Sequence, residues 1–255
     1  MRARTLWTFP LLFLSLQGQD PITALEHART VNLERAAALP NFVVDETATR
    51  YRSRHVNPPK WELFDSIESE IAVKGSRFER QIVLRNGKPW KKPDLSDFNW
   101  GMSFGAGLNQ VFSPKCPTMI EFAGREEARG KPQLAYRFSS PPDGCFATFT
   151  INGKQYNPAQ SGRVLVEDPG GNQVHFETEA RAFPRGFGAD PFKFSLTSDY
   201  VTIGDASHLL PGAAEVFGGF TKGDLWHVVV EFKNHRHFEA SAKVTFEPEK
   251  EAPPK

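Results

Sequence analysis

The stretch Trp226-His227-Val228-Val229-Val230-Glu231-Phe232-Lys233 decides how this chain is read. Trp226, Val228, Val230 and Phe232 fall on one side of an extended strand, and Glu231 and Lys233 on the other. Successive strand side chains point to opposite faces, so the pattern is that of an antiparallel strand with one covered and one wet face. Working outward, the same period recurs. Val174, Phe176, Thr178 and Ala180 alternate with His175, Glu177, Glu179 and Arg181. Trp61, Leu63, Ile67, Ile71 and Val73 share a parity, with Glu62, Ser66, Glu68 and Glu70 between them. Phe78, Ile82 and Leu84 alternate with Arg77, Glu79 and Gln81, and Ala242, Val244 and Phe246 with Lys243 and Thr245. Asn86-Gly87, Asn152-Gly153 and Asp168-Pro169-Gly170-Gly171-Asn172 are turn sequences between such runs. No long helical segments separate the strands, which argues against a parallel α/β sheet. The expectation is a meandering antiparallel sheet.

Two segments break the period. Asp20-Pro21 is an N-cap followed by proline at the first helical position. Residues 21–38 carry a loose helical stripe in Leu25, Ala28, Leu33, Ala36 and Leu39, and Pro40 ends it. Further on, Phe104, Leu108, Val111 and Phe112 predict a short inserted helix over 103–112. Its apolar side needs cover, and the open face of the sheet is the place for it.

Ahead of Asp20, Arg2 and Arg4 precede an uncharged, mostly apolar run from Leu6 to Leu16, with Gly18 as the small residue near a cleavage point. This is the order of an export signal, residues 1–19, and the run is too short to span a bilayer. A buried N-terminal helix is the competing reading. No cysteine stands near the cleavage point, so the expected product is not lipid-anchored. Residues 20–247 are expected to form one β domain. The charged, proline-rich residues 248–255 are expected to be a disordered tail.

The chain has 31 basic and 30 acidic residues, and 29 basic without Arg2 and Arg4. Polyanion binders carry a basic excess, so nucleic acid is not an expected partner. Cys116 and Cys145 are the only cysteines and, in an exported protein, suggest one disulfide. Two buried thiols are the alternative. The 22 phenylalanines serve either the covered face of a sheet or the lining of a cavity.

Catalytic constellations are poorly supported. Gly101-Met102-Ser103-Phe104-Gly105 has the G-x-S-x-G spacing but lacks the preceding buried parallel strand of a nucleophile elbow. Ser103 is better read as a helix cap. His235 and His237 share a face if their strand continues, with His227 or Glu231 as third ligand by parity. Lys233 and Arg236 beside them oppose a cation, so no metal site or cofactor is expected. The carboxylate pairs Glu68/Glu70 and Glu177/Glu179 fall on the wet face. What remains is the apolar face of the sheet. Parity alone selects Trp61, Leu63, Ile67, Phe176, Phe194, Leu196, Val228 and Phe232 as residues lining a cleft between sheet and helices, where an apolar ligand would bind. A filled core is the plain alternative.

Four stretches resemble the periplasmic lipoprotein-carrier (LolA/LolB-like) superfamily. They are the helix running into Leu39-Pro40-Asn41-Phe42 and the strand to Arg52; the hairpin Gly162 to Gly171; Asp199-Tyr200-Val201-Thr202-Ile203 with Leu209-Leu210-Pro211 and Ala214-Glu215-Val216; and Val230 to Phe238. The hairpin turn lacks the threonine common in those carriers. The resemblance implies an α+β, mainly β fold: a large curved antiparallel sheet, an incomplete barrel, with an N-terminal helix and a short inserted helix on its concave face. It implies an exported, non-enzymatic protein of periplasm or medium whose partner is a lipid or lipid-modified protein. The alternative is an envelope structural or interaction protein with a filled core.

Overall fold

The computed structural model describes residues 20–55, 57–75, 77–90, 111–144, 146, 148–151, 154–181, 183, 192–220 and 224–237. The expected signal segment, the 101–105 motif, residues 103–110 of the expected inserted helix, Cys145, the Asn152-Gly153 turn, and the expected last strand and tail lie outside the described residues.

Helix α1 (Pro21–Ala37) begins where the sequence predicts it. The Asp20 carboxylate accepts from the Thr23 N–H at 3.0 Å and from its hydroxyl at 3.1 Å, satisfying a donor that a helix start leaves orphaned. Pro21 occupies the first turn, where its missing N–H costs nothing. The Ala38 N–H closes the other end on the Glu34 and Arg35 carbonyls, just before Pro40. The buried line is Ala24, Ala28 and Asn32, spaced four apart. Leu25 and Leu33 of the expected stripe only flank it. Two alanines at the contact let the helix axis lie close to the sheet.

Among the described residues thirteen strands follow: β1 (Phe42–Ser53), β2 (Glu62–Lys74), β3 (Arg77–Arg85), β4 (Lys88–Pro89), β5 (Met119–Ala128), β6 (Lys131–Ser140), β7 (Phe149–Ile151), β8 (Lys154–Tyr156), β9 (Gln160–Glu167), β10 (Gln173–Ala180), β11 (Phe192–Ile203), β12 (Ala206–Phe220) and β13 (Asp224–His237). Eleven make one open antiparallel sheet in the order β4-β3-β2-β1-β13-β12-β11-β10-β9-β6-β5, and β7 and β8 form a separate hairpin. The first and thirteenth strands therefore meet inside the sheet. The edges are β4 and β5. The Asn86-Gly87 turn has φ of 52° and 70°, the paired positive values that a two-residue hairpin loop demands.

On the helix side the buried side chains form two clusters. One joins Phe42, Val44, Ala48, Ile67, Ile71 and Val73 to Leu196, Leu210, Ala214, Val216, Val228, Val230 and Phe232 across β2, β1, β13, β12 and β11. The other joins Leu134, Tyr136, Phe138, Val164, Val166 and Phe176 to Ala24 and Ala28 of α1. Val111 and Phe112, the end of the expected inserted helix, are helical and lie in this second cluster.

A polar clamp fixes α1 to the sheet. The buried Asn32 amide donates to the Ala28 and Gly171 carbonyls at 2.7 and 2.8 Å, and its oxygen accepts from the Gln173 N–H at 2.9 Å. Tyr136 donates to the Pro21 carbonyl at 3.0 Å, and burial pushes its phenol up to about 12. Gly171 sits at φ +73°, where a Cβ would stand 2.9 Å from the His27 ring. Gly162 has another reason to be glycine: a Cβ there would meet the Glu177 carbonyl at 1.9 Å and the Phe138 ring at 2.7 Å. Replacing Asn32 with leucine preserves bulk but strands the Gly171 carbonyl and the Gln173 N–H. The expected loss is about 1–3 kcal/mol in denaturant unfolding. An unchanged midpoint would mean that the clamp contributes nothing.

Candidate functional site

Register decides which of the expected lining residues share a face. Val230 lies opposite Ala48 on β1 and Ala214 on β12, and Ala48 lies opposite Ile67. Thr178 lies opposite Phe194, which lies opposite Val216. Ile67, Leu196, Val228 and Phe232 thus join the first apolar cluster and Phe176 the second. Phe194 packs against both. All six lie on the helix side.

Trp61 and Leu63 do not. The β1–β2 pairing slips by one residue between Arg50 and Tyr51, so Leu63 pairs with Tyr51 whereas Asp65 pairs with Arg50. A one-residue slip sends every side chain beyond it to the other face. Leu63 is 65% exposed. Trp61 packs edge-on against Phe217 at 5.9 Å and beside His227 at 5.7 Å, on the side away from α1.

Just inside the slip the regular register buries a charge. Asp65 takes a core position and holds Arg50 through a two-pronged pair, Nε to Oδ1 at 2.6 Å and Nη2 to Oδ2 at 2.5 Å. Arg85 from β3 adds a third bond at 2.8 Å. The Arg50 guanidinium lies 5.2 Å from the Phe64 ring centroid and 5.8 Å from that of Trp226, and Arg85 lies 4.8 Å from that of Trp90. Four residues back along β1, beyond Ala48, buried Glu46 binds Arg80 at 2.8 and 2.9 Å. Five charges thus stand in the helix-side face, each within reach of an opposite one. Sequence reading missed them, although Glu46 and Arg50 share the parity of Val44 and Ala48, and Arg80 that of Phe78 and Ile82. Ser69 Oγ and Gln160 Nε2 are buried on this face without a hydrogen-bond partner. A buried unpaired group costs about 1–3 kcal/mol, so each is a place where a polar atom of a ligand would be received favourably.

Removing Asp65 leaves two guanidiniums facing each other in a nearly dry setting. Asp65→Ala is expected to lower stability by about 3–5 kcal/mol, and Arg50→Met/Asp65→Leu by much less. Urea unfolding of both variants checks this; equal losses would contradict the pairing argument.

The histidines are placed differently from the metal reading. Asn234, at φ +55°, sits where the β1–β13 register shifts between Val43 and Asp45. Beyond it His235 turns toward Phe42, ring centroids 5.8 Å apart, and bonds the Pro211 carbonyl at 3.1 Å. A carbonyl only accepts, so Nε2 carries the proton. His227 and Glu231 stay on the far face, His227 3.4 Å from Glu215. Neither is therefore a third ligand beside His235. Among the described residues no group of three His, Cys, Asp or Glu could hold a metal.

Burial pulls the His235 imidazole below its ordinary value, partly offset by the Pro211 bond. Burial does the same to His175, partly offset by Glu177. Both fold best neutral. Below about pH 6.5 the unfolded chain takes up these protons first, so stability falls as pH drops through and below that value and is unaffected above it. His235→Gln is expected to flatten the stability difference between pH 7.5 and pH 5. An NMR titration placing His235 above 6.5 would contradict the sign.

On the face away from α1 lies a groove of about 990 Å³. Its walls are Pro59 and Trp61 at one end and Ala123 at the other, and its floor is the wet face of β6 and β9 to β13. The expected wet carboxylates Glu177 and Glu179 lie in it.

No family model matches the chain, and no curated protein matches it in sequence. Solved structures similar to it include a LolA superfamily protein from Nitrosomonas europaea, 10% identical over 86% of this chain and 93% of the other, TM-score 0.34. A DUF1329 family protein from Desulfovibrio piger is 11% identical over 90% and 98%, TM-score 0.40. An outer membrane lipoprotein-sorting protein domain from Vibrio parahaemolyticus is 10% identical over 85% and 93%, TM-score 0.38. One of the three, from Nitrosomonas europaea, carries the name of the superfamily that the sequence resembles. At one identical residue in ten they transfer no residue role and no activity.

Proposed function

We propose that this chain is an exported, non-enzymatic binding protein that receives the apolar part of a lipid, or of a lipid-modified protein, on the helix side of its sheet. One observation carries the reading: the apolar face is much larger than the helix laid on it. Its buried side chains run over β2, β1, β13, β12, β11, β10, β9 and β6, while α1 contributes only Ala24 and Ala28 fully and Leu25 and Leu33 in part, all to the second cluster. Among the described residues, only Leu39 and Trp90 from outside the large sheet pack on the first cluster. Ile67, Phe176, Phe194, Leu196, Val228 and Phe232 are the proposed lining. In this reading residues 1–19 are removed on export, residues 20–247 act as one domain in the periplasm or medium, and Cys116 pairs with Cys145. Cys116 is not a free thiol. Among the described residues no helix is long and apolar enough to cross a membrane.

A second reading, an envelope interaction protein with a filled core, has its own observation. Ile67, Phe176, Val228 and Phe232 are all at most 4% exposed. Native mass spectrometry of the full chain expressed with export, followed by organic extraction, separates the two. The proposal expects a mass without residues 1–19, two hydrogens lighter than the reduced chain, with a stoichiometric extractable lipid. A lipid-free mass that takes up no fluorescent fatty acid would reject the lipid reading in favour of the second.

A further inference from the structure

Unpartnered polar atoms gather at one rim of the sheet. Gln160, at the start of β9, lies directly opposite Ser140 at the end of β6 and Ala180 at the end of β10. It is 4% exposed. Its Oε1 accepts from the Thr178 hydroxyl at 3.2 Å, but its Nε2 has no hydrogen-bond partner. Thr118 Oγ1 and Asn157 Oδ1 are likewise buried without one. Thr118 adjoins Met119, which pairs with Ser139, so it stands at the same strand ends, and Asn157 closely precedes Gln160. The Ser140 hydroxyl reaches only the neighbouring Pro141 carbonyl, at 3.5 Å. Folded proteins satisfy nearly all buried polar groups, so several orphans at one rim call for a partner.

The rim is polar but uncharged. By register the helix-side positions of β6, β9 and β10 carry no charged side chain. Glu179, Arg181 and Lys193 at these strand ends face the other way, paired with one another. Along the row Thr178, Phe194, Val216, Val228, Arg50 the first charge stands four strand spacings from Thr178, about 19 Å. A run of rings leads from the rim into the proposed lining. Phe146 stacks on Phe138 at 5.2 Å, Phe138 on Phe176 at 5.5 Å, and Phe176 meets Phe194 at 6.1 Å.

We propose, on the strength of the lipid reading of the helix side, that this rim holds the polar end of an uncharged acylglycerol, its acyl chain running over Phe176 and Phe194. The Gln160 amide donates to the ester carbonyl. Asn157 Oδ1 and Thr118 Oγ1 accept from the glycerol hydroxyls. Other lipids fit worse. A free fatty acid would bring a carboxylate to a buried rim where no described cation pairs with it, which costs far more than an unpaired neutral group. A phosphate headgroup meets the same obstacle. A plain hydrocarbon would leave all three polar atoms unpaired.

The test is displacement of a fluorescent fatty acid from the full exported chain by monopalmitoylglycerol and by palmitate, at a pH that ionises palmitate. The two carry the same acyl chain. The glyceride is expected to displace the probe at about tenfold lower concentration, the ratio that one buried hydrogen bond supplies. Gln160→Leu keeps the bulk and deletes the donor, and the Thr178 hydroxyl retains the Ser161 carbonyl at 3.4 Å. This variant is expected to bind palmitate as the parent does, to lose the preference for the glyceride, and to melt no lower than the parent. Thr118→Val, of the same shape, is expected to weaken the glyceride alone. Equal displacement by the two lipids in the parent overturns the proposal, as does a preference that survives in both variants, which leaves the orphaned atoms to water. A parent chain that takes up neither probe nor lipid overturns the lipid reading and this proposal with it, whereas uptake without preference overturns this proposal alone.

Discussion

An open sheet of eleven strands has two faces and alternates its side chains strictly between them, so one face must be hidden and the other wetted. Everything else in the protein answers to that constraint. The hydrophobic residues of β1, β2 and β9 to β13 are sorted by parity, and α1 is positioned by the need to cover the apolar face. The Asn32 clamp sets where it lies, and the alanines at the contact set how close. Coverage is uneven: the helix serves the β6, β9 and β10 end, while the larger cluster on β1, β2, β11, β12 and β13 lies beyond its reach.

Register shifts mark six of the ten strand pairings of the large sheet, and two of them matter most for the site. The slip between Arg50 and Tyr51 turns Trp61 and Leu63 away from the core, whereas Asp65, still in register with Ile67, keeps its place in it. The irregularity therefore creates the aromatic wall of the outer groove, and the buried charged row of the inner face stands just inside it. A buried ion pair is a weak source of net stability, because desolvation offsets most of its attraction. Its stronger effect is on register: any slip of β2 against β1 would part Arg50 from Asp65 and leave the buried Arg50 without its carboxylate. The charges thus hold in place the alignment that sorts the faces.

Much of the fold was legible. The cap Asp20, the stop at Pro40, the Asn86-Gly87 turn and the alternation through Val228, Val230 and Phe232 are local signals, and the chain obeys them. Six of the eight expected lining residues share the helix-side face for the same reason. Trp61 and Leu63 were misplaced because a bulge leaves no mark in a period-two pattern until its partner strand is known. His227 and Glu231 were separated from His235 by another irregularity, at Asn234. The buried charges were illegible for a different reason. Arg50, Asp65 and Arg85 come from three strands, and complementarity between them exists only once the register does. The groove was hidden likewise, since its floor is drawn from strands 90 residues apart in sequence, Arg137 and His227.

The central claim is that an apolar ligand meets the helix side of the sheet. Photo-crosslinking with a diazirine-bearing fatty acid, followed by peptide mapping of the adducts, tests it most directly. The account predicts adducts on β11 to β13 at Phe194, Leu196, Val228 or Phe232, and on β2 at Ile67, with none at Trp61. Adducts confined to Trp61 and its neighbours on the opposite face, or no adduct above that of the unfolded chain, would contradict it.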